Sequence, residues 1–236
     1  ETGWSPLSGD QIGSLLGEFL AARGITGSLA NSIVSSRLLS RIARAHGLEH
    51  HTTLTGFKWI ARAPGLGFGY EEAIGFCPDP AHVRDKDGIA TSVVAASLAA
   101  ALKAQGRSVW DELERLARLH GLHVSSPLTF RVEEIEQIAS GMARLRAQPP
   151  SVLAGSPVVE VSDLSQGYRG LPPTDGVLVL TEAGDRVIAR PSGTEPKLKC
   201  YLEVILPVAE GEPLPWGQAR ERLDAIKGAF AEIIGL

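Results

Sequence analysis

The chain has 236 residues, 44% apolar and 21% charged, which is enough for two domains with cores of their own. Its net charge of −4 argues against bulk attraction to nucleic acid or an anionic membrane, so any anion affinity has to be local. Cys77 and Cys200, the two cysteines, lie far apart in sequence and do not read as a disulfide framework. With no signal peptide and no apolar run of about 18 residues, the expectation is a cytoplasmic protein with two buried thiols.

In chain order, Ser8 or Asp10 caps a first helix, whose face is Ile12, Leu15, Leu16, Phe19 and Leu20 and whose end is Gly24. Ser28–Ser36 reads as a buried strand, Arg37–His46 as a helix and His50–Leu54 as a strand. Gly56 opens a short helix through Arg62, and Phe68–Phe76 is strand-like around two glutamates. The Ala/Leu/Val-rich Ile89–Lys103 helix is expected to be packed all round, with Asp87 as its cap. Ser108 caps a further helix to His120. Strands alternating with helices predict a layered mixed α/β domain.

Leu122–Phe130 reads as extended and Val132–Ala147 as a helix. Gln148-Pro149-Pro150-Ser151 cannot continue it, so the boundary is placed there: one domain over 1–148, a second over 149–236. The second domain reads as an α+β unit, a small antiparallel sheet covered by helix. Its strands are Val158–Val161, Gly176–Leu180, Arg186–Ala189 and Lys199–Val204, followed by a helix from Trp216.

Three stretches carry chemistry. Between the last two strands stands Arg190-Pro-Ser-Gly-Thr-Glu-Pro-Lys-Leu-Lys199. Arg190 offers a forked donor to phosphate oxygens, Ser192 and Thr194 offer hydroxyls, and Gly193 lets backbone N–H groups approach an anion. Lys197 and Lys199 add positive field that Glu195 partly opposes. By itself the stretch also reads as a polar hairpin turn. In Thr55-Gly56-Phe57-Lys58, a glycine opening a helix frees terminal N–H groups beside a lysine, although by itself Lys58 reads first as a snorkelling surface lysine. In Gly69-Tyr70-Glu71-Glu72-Ala73-Ile74-Gly75, each carboxylate can accept sugar hydroxyls, but neighbours on a strand face opposite ways; a solvated charge pair is the plain alternative. Arg84–Gly88 lacks the later ligands of a calcium loop, Gly65-x-Gly67-x-Gly69 is not a dinucleotide fingerprint, and the six histidines lack metal-ligand spacing.

These stretches, in this order, resemble the C-terminal half of the α-D-phosphohexomutase superfamily, which includes phosphoglucomutases, phosphomannomutases and phosphopentomutases. The resemblance covers nearly the whole chain and implies a phosphosugar substrate, moved between positions 1 and 6 (or 1 and 5) through a bisphosphate. Phosphoglucomutase or phosphomannomutase is the main expectation; a phosphopentomutase or a non-catalytic phosphosugar-binding protein is the alternative. It implies that Arg190, Ser192, Gly193, Thr194 and Lys199 grip phosphate, and that Gly56 and Lys58 line the cleft, Lys58 with an acid–base role. Glu71 would orient the sugar. Ala73 stands where the superfamily commonly has a serine, so one hydroxyl contact is missing, and the Glu-Glu-Ala-Ile-Gly form resembles the branch with phosphopentomutases. Arg84–Gly88 also matches and reads as structural. The superfamily's phosphoserine segment (Thr-Ala-Ser-His-Asn-Pro-like) and its Mg²⁺-holding Asp-x-Asp-x-Asp-Arg loop do not occur in the sequence. The implied Mg²⁺ ligands therefore lie outside this chain, the N-terminal domains of the same enzyme are the implied partner, and the chain alone is expected to be inactive.

Overall fold

The computed structural model describes residues 4–192 and 195–235. It forms two compact units, Glu1–Gly121 and Leu122–Leu236. The first contains α1 (Gly9–Ala22), β1 (Ser28–Ser32), α2 (Leu38–Ala45), β2 (Glu49–Thr53), α3 (Phe57–Ile60), β3 (Leu66–Glu71), β4 (Gly75–Cys77), α4 (Gly88–Ala104) and α5 (Val109–His120). Its sheet runs β2-β1-β3-β4, with β1 parallel to β2 and β3 and with β4 antiparallel at the edge. Alternation along the strands divides the core. Leu29, Phe68, Tyr70 and Phe76 face a layer built by α1, α2, α4 and α5, while Ala30 and Cys77 face Phe57 and Ile60 of α3. This is the layered α/β arrangement read from the alternating elements.

The helix starts follow the expected chemistry. Ser8 and Gln11 close a capping box on α1, Ser108 and Asp111 close one on α5, and Asp87 accepts from the backbone N–H groups of Ile89 and Ala90 at the head of α4. The all-round packing expected of α4 is not found. Leu98 and Leu102 are buried, but Ile89 is 83% and Val93 63% exposed, so one apolar side of the helix faces outward in this unit. No single helix among the described residues is long and apolar enough to cross a membrane.

The second unit contains β5 (Leu122–Arg131), α6 (Ile135–Ala147), β6 (Val152–Leu153), β7 (Ser156–Asp163), β8 (Val177–Thr181), β9 (Arg186–Pro191), β10 (Lys197–Leu206) and α7 (Trp216–Ile234). The strands make one antiparallel sheet in the order β5-β10-β9-β8-β7-β6. Leu198, Cys200, Leu202 and Val204 of β10 alternate inward, and Met142 and Leu145 of α6 and Leu223, Ile226 and Phe230 of α7 are buried with them. The boundary thus falls at Gly121/Leu122 and not at 148/149. β5 pairs with β10 along its whole length, from Leu122 opposite Leu206 to Arg131 opposite Lys197. The Gln148–Ser151 break lies inside this unit, and the sheet has six strands where four were expected. Both cysteines are free and buried, and burial pushes their thiols up, Cys77 to about 11 and Cys200 to about 12.

Candidate functional site

In the second unit the candidate phosphate loop closes the β9–β10 hairpin. The Ser192 N–H donates to the Lys197 carbonyl at 2.8 Å, and the Lys197 N–H donates to the Glu195 carbonyl at 2.7 Å. Arg190 and Lys199 are direct cross-strand partners, so their side chains stand on one face, with Thr129 of β5 next in the row. One pleat further toward the loop, Lys197 stands opposite Arg131. The Lys197 ammonium bonds Glu195 at 2.8 Å. That bond, with Arg131 and Lys199 nearby, holds the Glu195 carboxyl below the ordinary range. Lys197, Arg131 and Lys199 thus act on the Glu195 carboxylate at this end of the sheet, with Arg190 opposite Lys199. Gly193 and Thr194 lie outside the described residues.

Arg131 belongs to this cluster, and the sequence alone did not disclose it. It lies far from the loop along the chain, and β-pairing over that separation leaves no local signal. The Val132 N–H, which donates to the Pro196 carbonyl at 3.2 Å, fixes the same contact through the backbone.

In the first unit the two glutamates part ways. Glu72 turns inward: its Oε2 accepts from the hydroxyls of Ser32 and Ser35, each at 3.0 Å, and its N–H donates to Ser35 Oγ at 3.2 Å. Glu71, the last residue of β3, pairs with Gly75 across the β3–β4 hairpin. A Cβ added at Gly75 would stand 2.9 Å from Glu71 Oε1 and 2.9 Å from Lys86 Cδ, so Glu71 and Lys86 fold over the glycine together. Burial raises the Glu71 pKa, Glu72 raises it further, and Lys86 acts against both. At the hairpin tip Ile74 holds φ at 62° and is 69% exposed. The left-handed region is costly for a β-branched side chain, and such strain collects at functional loops.

Lys86 was read only as part of a structural segment. Its ammonium lies 4.8 Å from the centre of the Phe57 ring, so it joins Glu71 to the Gly56-Phe57-Lys58 stretch. Gly56 adopts φ 104° and precedes α3, but α3 is a single turn of 4 residues and offers little helix dipole to an anion. Lys58 is exposed, 5.8 Å from the centre of the Trp59 ring. Ala73, also exposed, brings no hydroxyl to the loop. Among the described residues no group of three or more His, Cys, Asp or Glu side chains could hold a metal ion.

A layered α/β unit followed by a helix-covered antiparallel unit with a cationic hairpin end is an arrangement known from other proteins. The family model described as phosphoglucomutase/phosphomannomutase, alpha/beta/alpha domain III, matches residues 8–119, and the model for the C-terminal domain of the same family matches residues 129–212. The chain therefore belongs to the phosphoglucomutase/phosphomannomutase family. It is 41% identical over 202 residues to a Haemophilus influenzae protein named "Probable phosphomannomutase", covering 85% of this chain and 41% of that protein. A phosphoglucomutase of Staphylococcus aureus is 32% identical, with 85% of this chain and 40% of that protein covered. A phosphopentomutase of Mus musculus is 29% identical, with 97% and 42% covered. The chain thus spans well under half the length of these relatives. Among solved structures, the Paramecium phosphoglucomutase parafusin in its open form matches with a TM-score of 0.69 at 18% identity, covering 98% of this chain and 43% of that one. A Burkholderia thailandensis phosphoglucomutase/phosphomannomutase family protein matches with a TM-score of 0.62 at 16% identity, covering 96% and 42%. At that identity the likeness establishes the fold.

Proposed function

We propose that the chain is the substrate-recognising half of a cytoplasmic phosphosugar mutase, which moves phosphate between two positions of a sugar through a bisphosphate. The observation that carries this is the Arg190–Lys199 cross-strand pair at the mouth of the loop from Ser192 to Pro196, in a chain of this family. In this reading Arg190, Ser192, Lys199 and the loop residues Gly193 and Thr194 hold the phosphate that is not reacting, with Arg131 adding field. Each charge-assisted bond contributes roughly 1.5–3 kcal/mol. Glu71 accepts sugar hydroxyls and fixes the ring. Lys86, which lies near Glu71 and bonds Asp85 at 2.9 Å, and Lys58, on the neighbouring turn, are the candidates to hold or move a proton at a sugar hydroxyl; the electrostatic pull between Lys86 and Glu71 favours Lys86. Mg²⁺ would offset charge on a transferring phosphoryl group. In this reading its ligands and the phosphoserine belong to further domains of the same enzyme, and this chain alone does not turn over substrate.

Likeness to a phosphomannomutase and a phosphoglucomutase favours a hexose phosphate. Ala73, and the phosphopentomutase relative, keep a pentose phosphate as the second candidate. Calorimetric titration of the chain with glucose 1-phosphate, mannose 1-phosphate and ribose 1-phosphate tests the reading. Saturable binding is expected, weakened by about 10-fold or more in Arg190→Ala. Binding that Arg190→Ala leaves untouched counts against the phosphate clamp.

A further inference from the structure

Between the second halves of α1 and α4 and the start of α5 lies a cavity of about 360 Å³, inside the range of small-ligand pockets. Part of its lining is apolar: Phe19 and Ala22 from α1, Leu98 and Leu102 from α4. Its polar side is an ion-pair chain. Arg107 bonds Glu112, Glu112 bonds Arg115 at 2.6 Å, and Arg115 bonds Glu18. Both carboxylates are buried, Glu112 held by Arg107 and Arg115 and Glu18 held by Arg115 and, at 2.9 Å, by His46, whereas the Arg107 and Arg115 side chains remain 32% and 36% exposed. Arg23 adds a third guanidinium, stacked 4.4 Å from the centre of the Phe19 ring, and no carboxylate among the described residues pairs with it. Three arginines against two glutamates leave the lining with one surplus positive charge.

The cavity is well away from the loop of Glu71 and Glu72. The head of α1 touches that loop: a Cβ at Gly9 would meet the Glu72 carbonyl oxygen at 2.1 Å. The cavity is lined by Glu18 to Arg23 at the other end of α1, about 15–20 Å along the axis at 1.5 Å per residue. α4 repeats the pattern, starting just after Lys86 and reaching the cavity at Leu98.

We propose that this cavity is a binding site for a small organic monocarboxylate with an apolar body. Its carboxylate is taken by Arg23 and the exposed edges of Arg107 and Arg115, and its apolar part covers Phe19, Leu98 and Leu102. One surplus charge suits a monocarboxylate better than a phosphate dianion, and a planar guanidinium grips a carboxylate with two parallel bonds. The apolar lining demands more than a bare anion.

The test is calorimetric titration with sodium benzoate, with sodium acetate and benzyl alcohol as controls for the missing body and the missing charge. Saturable benzoate binding is expected, at least tenfold tighter than either control. It should weaken tenfold or more in Arg23→Gln, whose melting temperature should match the parent because Arg23 is exposed. Ala101→Trp, which fills the cavity from α4, should abolish it. Absence of saturable benzoate binding overturns the proposal, as does equal binding of acetate. Binding that survives Arg23→Gln and Ala101→Trp but is lost in Arg190→Ala places the anion on the phosphate loop and also overturns it.

Discussion

Glu71 and Glu72 are adjacent, chemically identical and held in different surroundings. The sequence supplies the rule that neighbours on a strand face opposite ways, but not which one turns inward. Ser32 and Ser35, which hold Glu72, come from a different part of the chain and announce nothing locally. Glu71 carries a raised pKa, from burial first and from Glu72 second. A raised carboxyl pKa means that the folded chain keeps a proton the unfolded chain releases. Stability from this group is therefore present at acid pH and lost as pH rises through the folded value. Glu71→Gln should melt at a higher temperature than the parent at pH 7, and the gain should vanish below pH about 4, where the unfolded carboxyl is also protonated. The same variant should bind glucose 1-phosphate about 10–100-fold more weakly, since it loses hydrogen bonds to a charged acceptor. Glu72→Gln should do the reverse at pH 7, lowering stability by about 1–3 kcal/mol by disturbing the serine pair. Melts of both variants across pH, beside titrations at pH 7, check the division of labour; equal behaviour of the two would refute it.

At the scale of elements, much was written in local chemistry. Ser8, Asp87 and Ser108 cap the helices as their side chains suggest, because a cap is settled within three residues. The hairpin that carries the candidate phosphate loop was legible for the same reason: its residues are consecutive and the hairpin closes on itself. What failed needed distant partners. α4 carries one charge, Lys103 near its end, so its sequence cannot say which side is covered. The proline pair at 149–150 imitates a linker, while the strand that ties Leu122–Arg131 into the second unit lies at 197–206. α1 supplies a direct test of how tightly the helix and the loop at Glu72 are matched. Gly9→Ala would place a methyl group 2.1 Å from the Glu72 carbonyl oxygen, so helix or loop has to move. A loss of about 2–4 kcal/mol in denaturant melts is expected, together with weaker phosphosugar binding. A neutral Gly9→Ala would mean that the helix head slides without cost.

For the whole molecule, membership of the mutase family rests on two domains in the family's order. Their sheets are wired differently. The first is complete once Cys77 exists, and its central pair joins Ser28 to Leu66. In the second, β5 is the first strand made, yet its sole neighbour in the sheet order is β10, which is made last. Leu122 must wait for Leu206, and closing so long a loop costs entropy before any contact repays it. On the ribosome, at about 5–20 residues per second, the α/β unit has all its strands in hand while β5 is still without a partner. Pulsed hydrogen exchange during refolding should find the amides of β1 and β3 protected before those of β5 and β10; simultaneous protection would contradict this order. In the interval the nascent chain displays a ten-residue strand with no mate, and Pro127 at its centre, unable to donate a ladder hydrogen bond, makes it a poor template for a neighbouring chain to pair with.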